Sequence, residues 1–237
     1  ILGIVTGVFF ALRQLNMAEP FLALKIFKSK EYTISVIGSM LLYFVMMGSS
    51  VIMPLYVQSV MGYSATVSGL VTLPGSLAMA IVSPFAGRIF DKLGIKKLFV
   101  SGAALMLISN IGMYFLTMHT PLWVGTVFNV IRCIAIGCLM MPLITWGTSF
   151  VGKNVVADAT AMLTSLRTIA GAIGSAVFVG IMTLVASQSE AVYGENASMH
   201  GLNVAYISMA GATLILLMIA VFFVKSEDHR RRMMNNL

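Results

Sequence analysis

Charged residues are scarce in this chain, and their scarcity excludes most soluble classes of protein. Only 15 lysines and arginines and 8 aspartates and glutamates occur among 237 residues, of which 59% are hydrophobic. A soluble domain of this length needs more polar side chains to cover its surface. We therefore interpret the chain as an integral membrane protein with an all-α fold.

Cysteine pairs, metal-binding patterns and enzyme motifs are lacking as well. Cys133 and Cys138 lie in one apolar run at a spacing that fits neither a redox or zinc pair nor a disulfide framework. We interpret both as buried packing residues. The sequence has no HExxH, GxSxG, P-loop or dinucleotide-binding pattern. We therefore predict no enzymatic activity, no metal site and no catalytic residue.

Long apolar runs divide the chain into six complete spans, each near the roughly 20 residues that a helix needs to cross a bilayer. The runs are Thr33 to Met53, Thr66 to Ala86, Leu98 to Leu116, Leu122 to Trp146, Ala159 to Ala186 and Val204 to Val224. Residues 1–12 are apolar but too short to cross, so we interpret them as the end of a truncated transmembrane helix. The predicted organisation continues with a cytoplasmic linker at 13–32, a six-helix bundle at 33–224 and a basic tail at 225–237.

The positions of lysine and arginine predict the orientation of these spans. Apart from two arginines inside spans, every base lies in the linker, in the connections after the second and fourth spans, or in the tail. The other three connections, Gln58 to Ala65, Thr117 to Pro121 and Ser187 to Asn203, have none. Because cytoplasmic loops carry the excess of bases, we place the basic connections and the C-terminus in the cytoplasm. Clusters of bases between apolar spans indicate lipid headgroups as the partner of the net charge of +7, and not nucleic acid.

Two arginines lie inside predicted spans, where all acidic residues are missing except Asp158 at a span edge. Arg132 is near the middle of the fourth span, where an arginine costs about 2.5–3.5 kcal/mol or more unless it faces water or a partner. We expect Arg132 to take part in the function of the protein. The alternative is that it only holds helices together by binding backbone carbonyls. Arg167 lies nearer the cytoplasmic end, where its long side chain can snorkel to the interface.

Small residues and prolines in the spans indicate closely packed, kinked helices. Gly171 and Gly174 give the fifth span a small face that allows close helix approach, and Pro142 interrupts the fourth span after Arg132. Asn129 lies one helical turn before that arginine. Kinked helices around a polar point are more typical of a transporter than of a membrane anchor.

One short segment between the second and third spans is highly charged. Residues 87–97 carry one acid and four bases, which cannot lie in hydrocarbon, so we predict a tight turn at a membrane face. Its glycines and charges are Gly87, Arg88, Asp91, Lys92, Gly94, Lys96 and Lys97. This pattern resembles the cytoplasmic loop of the major facilitator superfamily, which lies between the second and third helices of a six-helix half.

Further motifs resemble the fourteen-span drug/proton antiporters of that superfamily, the multidrug-efflux permeases of the EmrB/QacA type. They are Pro20 to Lys28, Tyr56-x-Gln58 with Gly62-x-Ser64-Ala65, Gly69 with Leu73-Pro74, and Arg167-x-x-x-Gly171-x-x-Gly174. The resemblance covers nearly the whole chain. It implies that the six spans are the ninth to fourteenth of the family and form the C-terminal bundle of a transporter.

The resemblance also implies a function, which is proton-coupled efflux of hydrophobic or cationic drug-like molecules across the cell membrane by alternating access. It implies no cofactor beyond the proton gradient, and it places the proton-carrying acids in a missing N-terminal half. Asp91 would accept hydrogen bonds from the amide end of the neighbouring helix, pair with Arg88 or another base of its loop, and latch the outward-facing state. The residues expected to line or shape the transport cavity are Asn129, Arg132, Pro142 and Arg167. The alternatives are a facilitator that imports or exports another small solute, and a membrane fragment that transports nothing.

Overall fold

The computed structural model describes residues 24–224, and every regular element in that range is helical. The long elements are α1 (Lys30–Leu55), the stretch Ala65–Tyr114 that contains α2 and α3, α4 (Leu122–Thr148), α5 (Val156–Tyr193) and α6 (Ala197–Phe222). The short helical turns are Leu24–Lys28, Tyr56–Val60, Lys153–Val155 and Gly194–Asn196. The predicted truncated helix at 1–12, the first part of the linker and the tail at 225–237 lie outside the described residues.

The stretch Ala65–Tyr114 is two helices joined at Gly94. This glycine has φ 75° and ψ 163°, a backbone conformation that interrupts the helix and that residues with a Cβ rarely adopt. An unbroken helix of 50 residues would be about 75 Å long, more than twice the hydrocarbon thickness of a bilayer. We therefore describe residues 65–93 as α2 and residues 95–114 as α3.

Packing against α4 shows that α2 and α3 run in opposite directions. On α2, Gly75 lies beside Asn129 of α4. Met79 of α2 lies beside Gly137, which is eight residues further along α4 than Asn129. On α3 the order is reversed, because Gly102 lies beside Leu139 and the later Gly112 lies beside Phe128. The chain therefore turns back at Gly94, and the six helices alternate in direction.

The remaining contacts complete this alternating bundle. α1 runs antiparallel to α4, since Ser35 lies beside Gly147 and Tyr56 lies beside Gly125. α1 runs parallel to α5, since the Tyr32 hydroxyl donates to the Ala159 carbonyl oxygen at 2.8 Å and Gly48 faces Phe178. The start of α1, the turn at Gly94 and the start of α5 therefore share one end of the bundle.

All bases outside the helix interiors lie at that shared end, within the part of the chain whose side chains are described. They are Lys28, Lys30, Arg88, Lys92, Lys96, Lys97 and Lys153. The charge alternation seen in the sequence therefore corresponds to one basic end of the bundle. By length and composition, five helical stretches of the described range are able to cross a membrane, and the stretch with Gly94 supplies two spans.

Helix ends follow local sequence signals. Ser29 Oγ accepts from the Tyr32 amide at 3.4 Å and caps α1, and Ser64 Oγ accepts from the Val67 amide at 3.4 Å and caps α2. Between them, Gly62 adopts φ 72° and allows the tight turn. Large apolar side chains such as Leu70, Leu77 and Ile81 point outward along α2, as expected for a surface that meets other apolar groups.

The all-α prediction is confirmed, and the predicted tight turn between the second and third spans is present. It is shorter than residues 87–97, because both helices continue through this segment and Gly94 alone makes the turn. The predicted connection Ser187 to Asn203 is mostly helical, since α5 ends at Tyr193 and α6 begins at Ala197. Polar residues were interpreted as a membrane boundary, although helices continue beyond the hydrocarbon when their residues are good helix formers.

Candidate functional site

A cavity of about 330 Å³ lies between α1, α2 and α4, near the middle of the bundle. Its wall consists of methionines and small polar side chains around one arginine. The lining residues are Met46, Ser49, Ser50, Met53, Pro54, Thr72, Ser76, Met79, Asn129, Arg132, Cys133 and Ile136. Ser50 and Ser76 are exposed at its rim, so the cavity opens at the surface of the bundle. Its size and mostly apolar wall suit a small molecule.

The hydroxyl groups of this wall donate within their own helices. Ser49 donates to the Met46 carbonyl at 2.9 Å, and Ser50 donates to the Met47 carbonyl at 2.8 Å. Thr72 and Ser76 likewise donate to carbonyls one turn earlier on α2. Their hydrogens are therefore already used, and their oxygens remain as acceptors on the cavity wall.

Arg132 is the charged residue of the wall, and it is only 2% exposed. Its Nη2 donates to Asn129 Oδ1 at 2.6 Å, one turn earlier on α4. Its Nη1 is buried and has no hydrogen bond of normal geometry within residues 24–224. The ring of Tyr206 lies 6.0 Å from the guanidinium carbon, and the phenol interacts with the guanidinium electrostatically. A buried guanidinium with a nitrogen that lacks a partner is costly unless a further group binds it.

Close packing of α2 against α4 positions Asn129. A Cβ placed on Gly75 would lie 2.6 Å from Asn129 Nδ2 and 2.9 Å from Cys133 Sγ. Only glycine therefore fits at this crossing without displacing the amide that binds Arg132. Cys133 is half-buried in the cavity wall and Cys138 is also only partly buried, so neither is as buried as the sequence analysis predicted.

Arg167 has different surroundings and does not line this cavity. Its guanidinium carbon lies 4.6 Å from the centroid of the Tyr43 ring on α1, and its Nε is buried without a hydrogen bond in the described range. The side chain therefore packs against an aromatic face. α5 begins at Val156, three residues before the predicted start, which places Arg167 deeper in the helix than the sequence indicated.

The predicted site residues divide into two groups in the structure. Asn129 and Arg132 lie together in the cavity wall, whereas Pro142 is buried in α4 away from it. Gly171 and Gly174 lie against α1, where a Cβ on Gly174 would overlap the Phe44 backbone. Sequence reasoning missed the wall residues of α1 and α2. The i, i+4 spacing of Thr72 and Ser76 in an apolar span is the signal that could have identified one polar face.

The charged segment at residues 87–97 forms an exposed surface at the basic end of the bundle. Asp91 and Lys92 are exposed, and Arg88 lies with its guanidinium carbon 5.7 Å from the Phe85 ring centroid. No ion pair joins Asp91 to Arg88 or to another base between residues 24 and 224, so the structure does not contain the expected pairing.

The six apolar helices alternate in direction and enclose a partly polar cavity of small-molecule size. The chain belongs to the Major Facilitator Superfamily, whose sequence model matches residues 4–175. Members of this family are transporters and not enzymes, as the sequence predicted. The prediction of a major facilitator fold is therefore confirmed.

Individual proteins agree with this family. The chain is 30% identical over 216 residues to "Uncharacterized MFS-type transporter YcnB" of Bacillus subtilis (strain 168), covering 91% of this chain and 46% of that protein. It is 34% identical over 187 residues to "Lincomycin resistance protein LmrB" of Listeria innocua serovar 6a (strain ATCC BAA-680 / CLIP 11262), covering 76% of this chain and 38% of that protein. The chain thus spans less than half the length of these relatives.

A solved structure supports the fold. The inward-open xylose transporter XylE from E. coli superposes with a TM-score of 0.64 at 15% identity, over 89% of this chain and 50% of that chain. At this identity the likeness concerns the fold alone. The six-helix bundle therefore corresponds to half of a solved major facilitator transporter.

Proposed function

We propose that this chain is the C-terminal half of a proton-coupled exporter of small drug-like molecules in the cell membrane. The observation that carries the proposal is the cavity between α1, α2 and α4, with a buried arginine in its wall. The similarity to a lincomycin resistance protein favours a drug-like substrate. In this arrangement the bundle would rock against a second bundle, so that the cavity opens to each side in turn.

The orientation belongs to the same proposal. The basic end of the bundle would face the cytoplasm, because bases accumulate on that side of membrane proteins. The C-terminus and the residues at 87–97 would then be cytoplasmic. Asp91 is exposed there and is available to bind a neighbouring helix end in one of the two states.

The cavity favours the hydrophobic part of the expected substrate class. Three methionines and an isoleucine contribute apolar, adaptable surface, which suits molecules of varied shape. The expected cationic substrates are less well matched by this bundle, because the charged group of the described wall is itself cationic. Any acid that attracts cations or carries protons would belong to the other bundle.

The test is transport by the full-length protein that contains this chain. Everted membrane vesicles with an acidic interior should accumulate ethidium, Nile red or lincomycin, and a protonophore should abolish the accumulation. The matched control is the six-helix bundle expressed alone, which should insert and accumulate nothing. Accumulation that ignores the proton gradient would refute proton coupling. If the protein instead takes up a different small solute and exports none of these three compounds, the assignment as a drug exporter is wrong.

A further inference from the structure

The buried guanidinium of Arg132 has no anionic partner within the described part of the chain. Asn129 is neutral, and no aspartate or glutamate lines the cavity. The acids whose side chains are described, Glu31, Asp91, Asp158 and Glu190, lie at helix ends and away from this wall. The charge that balances Arg132 must therefore come from outside these residues.

The geometry of the site indicates which chemical group fits it. Asn129 Oδ1 accepts from one terminal nitrogen, Nη2, at 2.6 Å, and this hydrogen bond helps to orient the guanidinium. The other terminal nitrogen, Nη1, is buried and makes no hydrogen bond of normal geometry among the described residues, and the neutral phenol of Tyr206 interacts with the guanidinium. Arginine binds carboxylates, phosphates and similar anionic oxygens with short, strong hydrogen bonds. The neighbouring wall is mostly apolar, so the anionic group would be attached to an apolar body.

We propose that Arg132 binds an anionic oxygen of the transported molecule, so that the cavity selects hydrophobic molecules carrying a carboxylate or a similar acid group. Arg132 is the binding residue, and Asn129 positions it. This inference rests on the proposed transport function and makes the substrate class more specific. A carboxylate from the second bundle offers the same chemistry, and the experiment distinguishes the two sources.

The experiment compares three pyrene probes of similar body and different charge in everted vesicles of the full-length protein. The probes are 1-pyrenebutyrate, 1-pyrenebutanol and 4-(1-pyrenyl)butyltrimethylammonium, and the measurement is the proton-driven accumulation of each. Arg132→Gln should lower accumulation of the carboxylate by about tenfold or more, the value of a hydrogen bond to a charged group. The alcohol and the ammonium should change by less than about threefold.

Two further variants sharpen the test. Asn129→Asp is nearly isosteric and would place a carboxylate where the amide oxygen accepts from Arg132. It should lower carboxylate accumulation as strongly as Arg132→Gln, although the arginine is still present. Lys153→Gln removes an equal charge from an exposed position at the basic end and should leave the order of the three probes unchanged.

The source of the anion is tested by thermal unfolding of the purified, ligand-free protein. If the transported molecule supplies the anion, Arg132→Gln removes an unpaired charge, and the midpoint temperature stays equal or rises. A clear fall in that temperature would show that Arg132 already has a stabilising partner in the ligand-free protein, and it would overturn the proposal.

The transport results separate failure of this inference from failure of the proposed function. If the wild type accumulates the alcohol or the ammonium but not the carboxylate, transport stands and the anion site is wrong. An equal loss of all three probes in Arg132→Gln would likewise overturn it. If the wild type accumulates none of these probes and none of the ethidium, Nile red and lincomycin panel, the export function itself fails.

Discussion

Replacing Gly75 by alanine tests whether helix packing positions the cavity arginine. The new Cβ would lie 2.6 Å from Asn129 Nδ2, which is roughly 1 Å short of the usual 3.5–4.0 Å contact. The Asn129 amide must therefore move, and its hydrogen bond to Arg132 at 2.6 Å breaks or lengthens. A hydrogen bond to a charged group contributes about 1.5–3 kcal/mol, so an acidic probe should lose about tenfold or more in apparent affinity.

The assay is Vmax/KM, per amount of protein, for accumulation of 1-pyrenebutyrate in vesicles of the full-length protein, because the ratio of this quantity between two variants converts into a free energy. Gly69→Ala is the matched control. Gly69 is on the same helix, and nothing lies within 4 Å of a Cβ placed there. This control should transport normally and be slightly stabilised, since alanine favours helix more than glycine does.

A double-mutant cycle identifies the mechanism. In an Asn129→Ala background the displaced amide is absent, and the remaining close contact of the new Cβ is with Cys133. Gly75→Ala should therefore lower transport of the acidic probe much less in this background than in the wild type. The free-energy change caused by Gly75→Ala should differ between the wild-type and Asn129→Ala backgrounds by at least about 1 kcal/mol. If Gly75→Ala has the same effect on Vmax/KM in both backgrounds, it does not act through Asn129, and the reasoning is refuted.

Three other substitutions test the fold and the charged segment. Gly174→Ala should lower thermal stability by about 1–3 kcal/mol or more, because its Cβ would meet the backbone of α1, whereas Gly180→Ala in open space should not. Gly94→Ala should lower stability by about 1–3 kcal/mol, because essentially only glycine adopts this combination of φ and ψ, and equal stability of this variant and the helical Gly87→Ala would contradict the turn. Asp91→Asn should slow export without reducing membrane insertion; wild-type rates in that variant would exclude a latch at this residue.

The sequence alone was sufficient to predict a membrane protein and most of its helix topology. Apolar runs near bilayer length predicted six spans, and the alternating bases correctly grouped one set of helix ends. The exact ends were less predictable, because α5 continues past the predicted apolar span into polar residues such as Gln188 and Glu190. Hydropathy reports where a helix leaves the membrane, and helix propensity with glycine geometry decides where it ends.

The candidate site was only partly predictable for a similar reason. Arg132 stands out in sequence because its charge is costly in a span, and Asn129 is found by helical spacing. The serines and threonine of α1 and α2 do not stand out, since such residues satisfy their hydroxyls within any apolar helix. Which of them meet Arg132 depends on the crossing of three helices, and that is a property of tertiary packing.

The two intramembrane arginines illustrate how packing separates residues that look alike in sequence. Arg167 lies 4.6 Å from the Tyr43 ring, so part of the cost of its charge is offset by an aromatic face between two packed helices. Arg132 has a more distant ring at 6.0 Å, one neutral acceptor and a place in a cavity wall. A charge in a cavity can be balanced by a molecule that enters and leaves, whereas a charge packed between helices cannot. We therefore expect Arg132 to determine which molecules are carried, and Arg167 to stabilise the contact between α1 and α5.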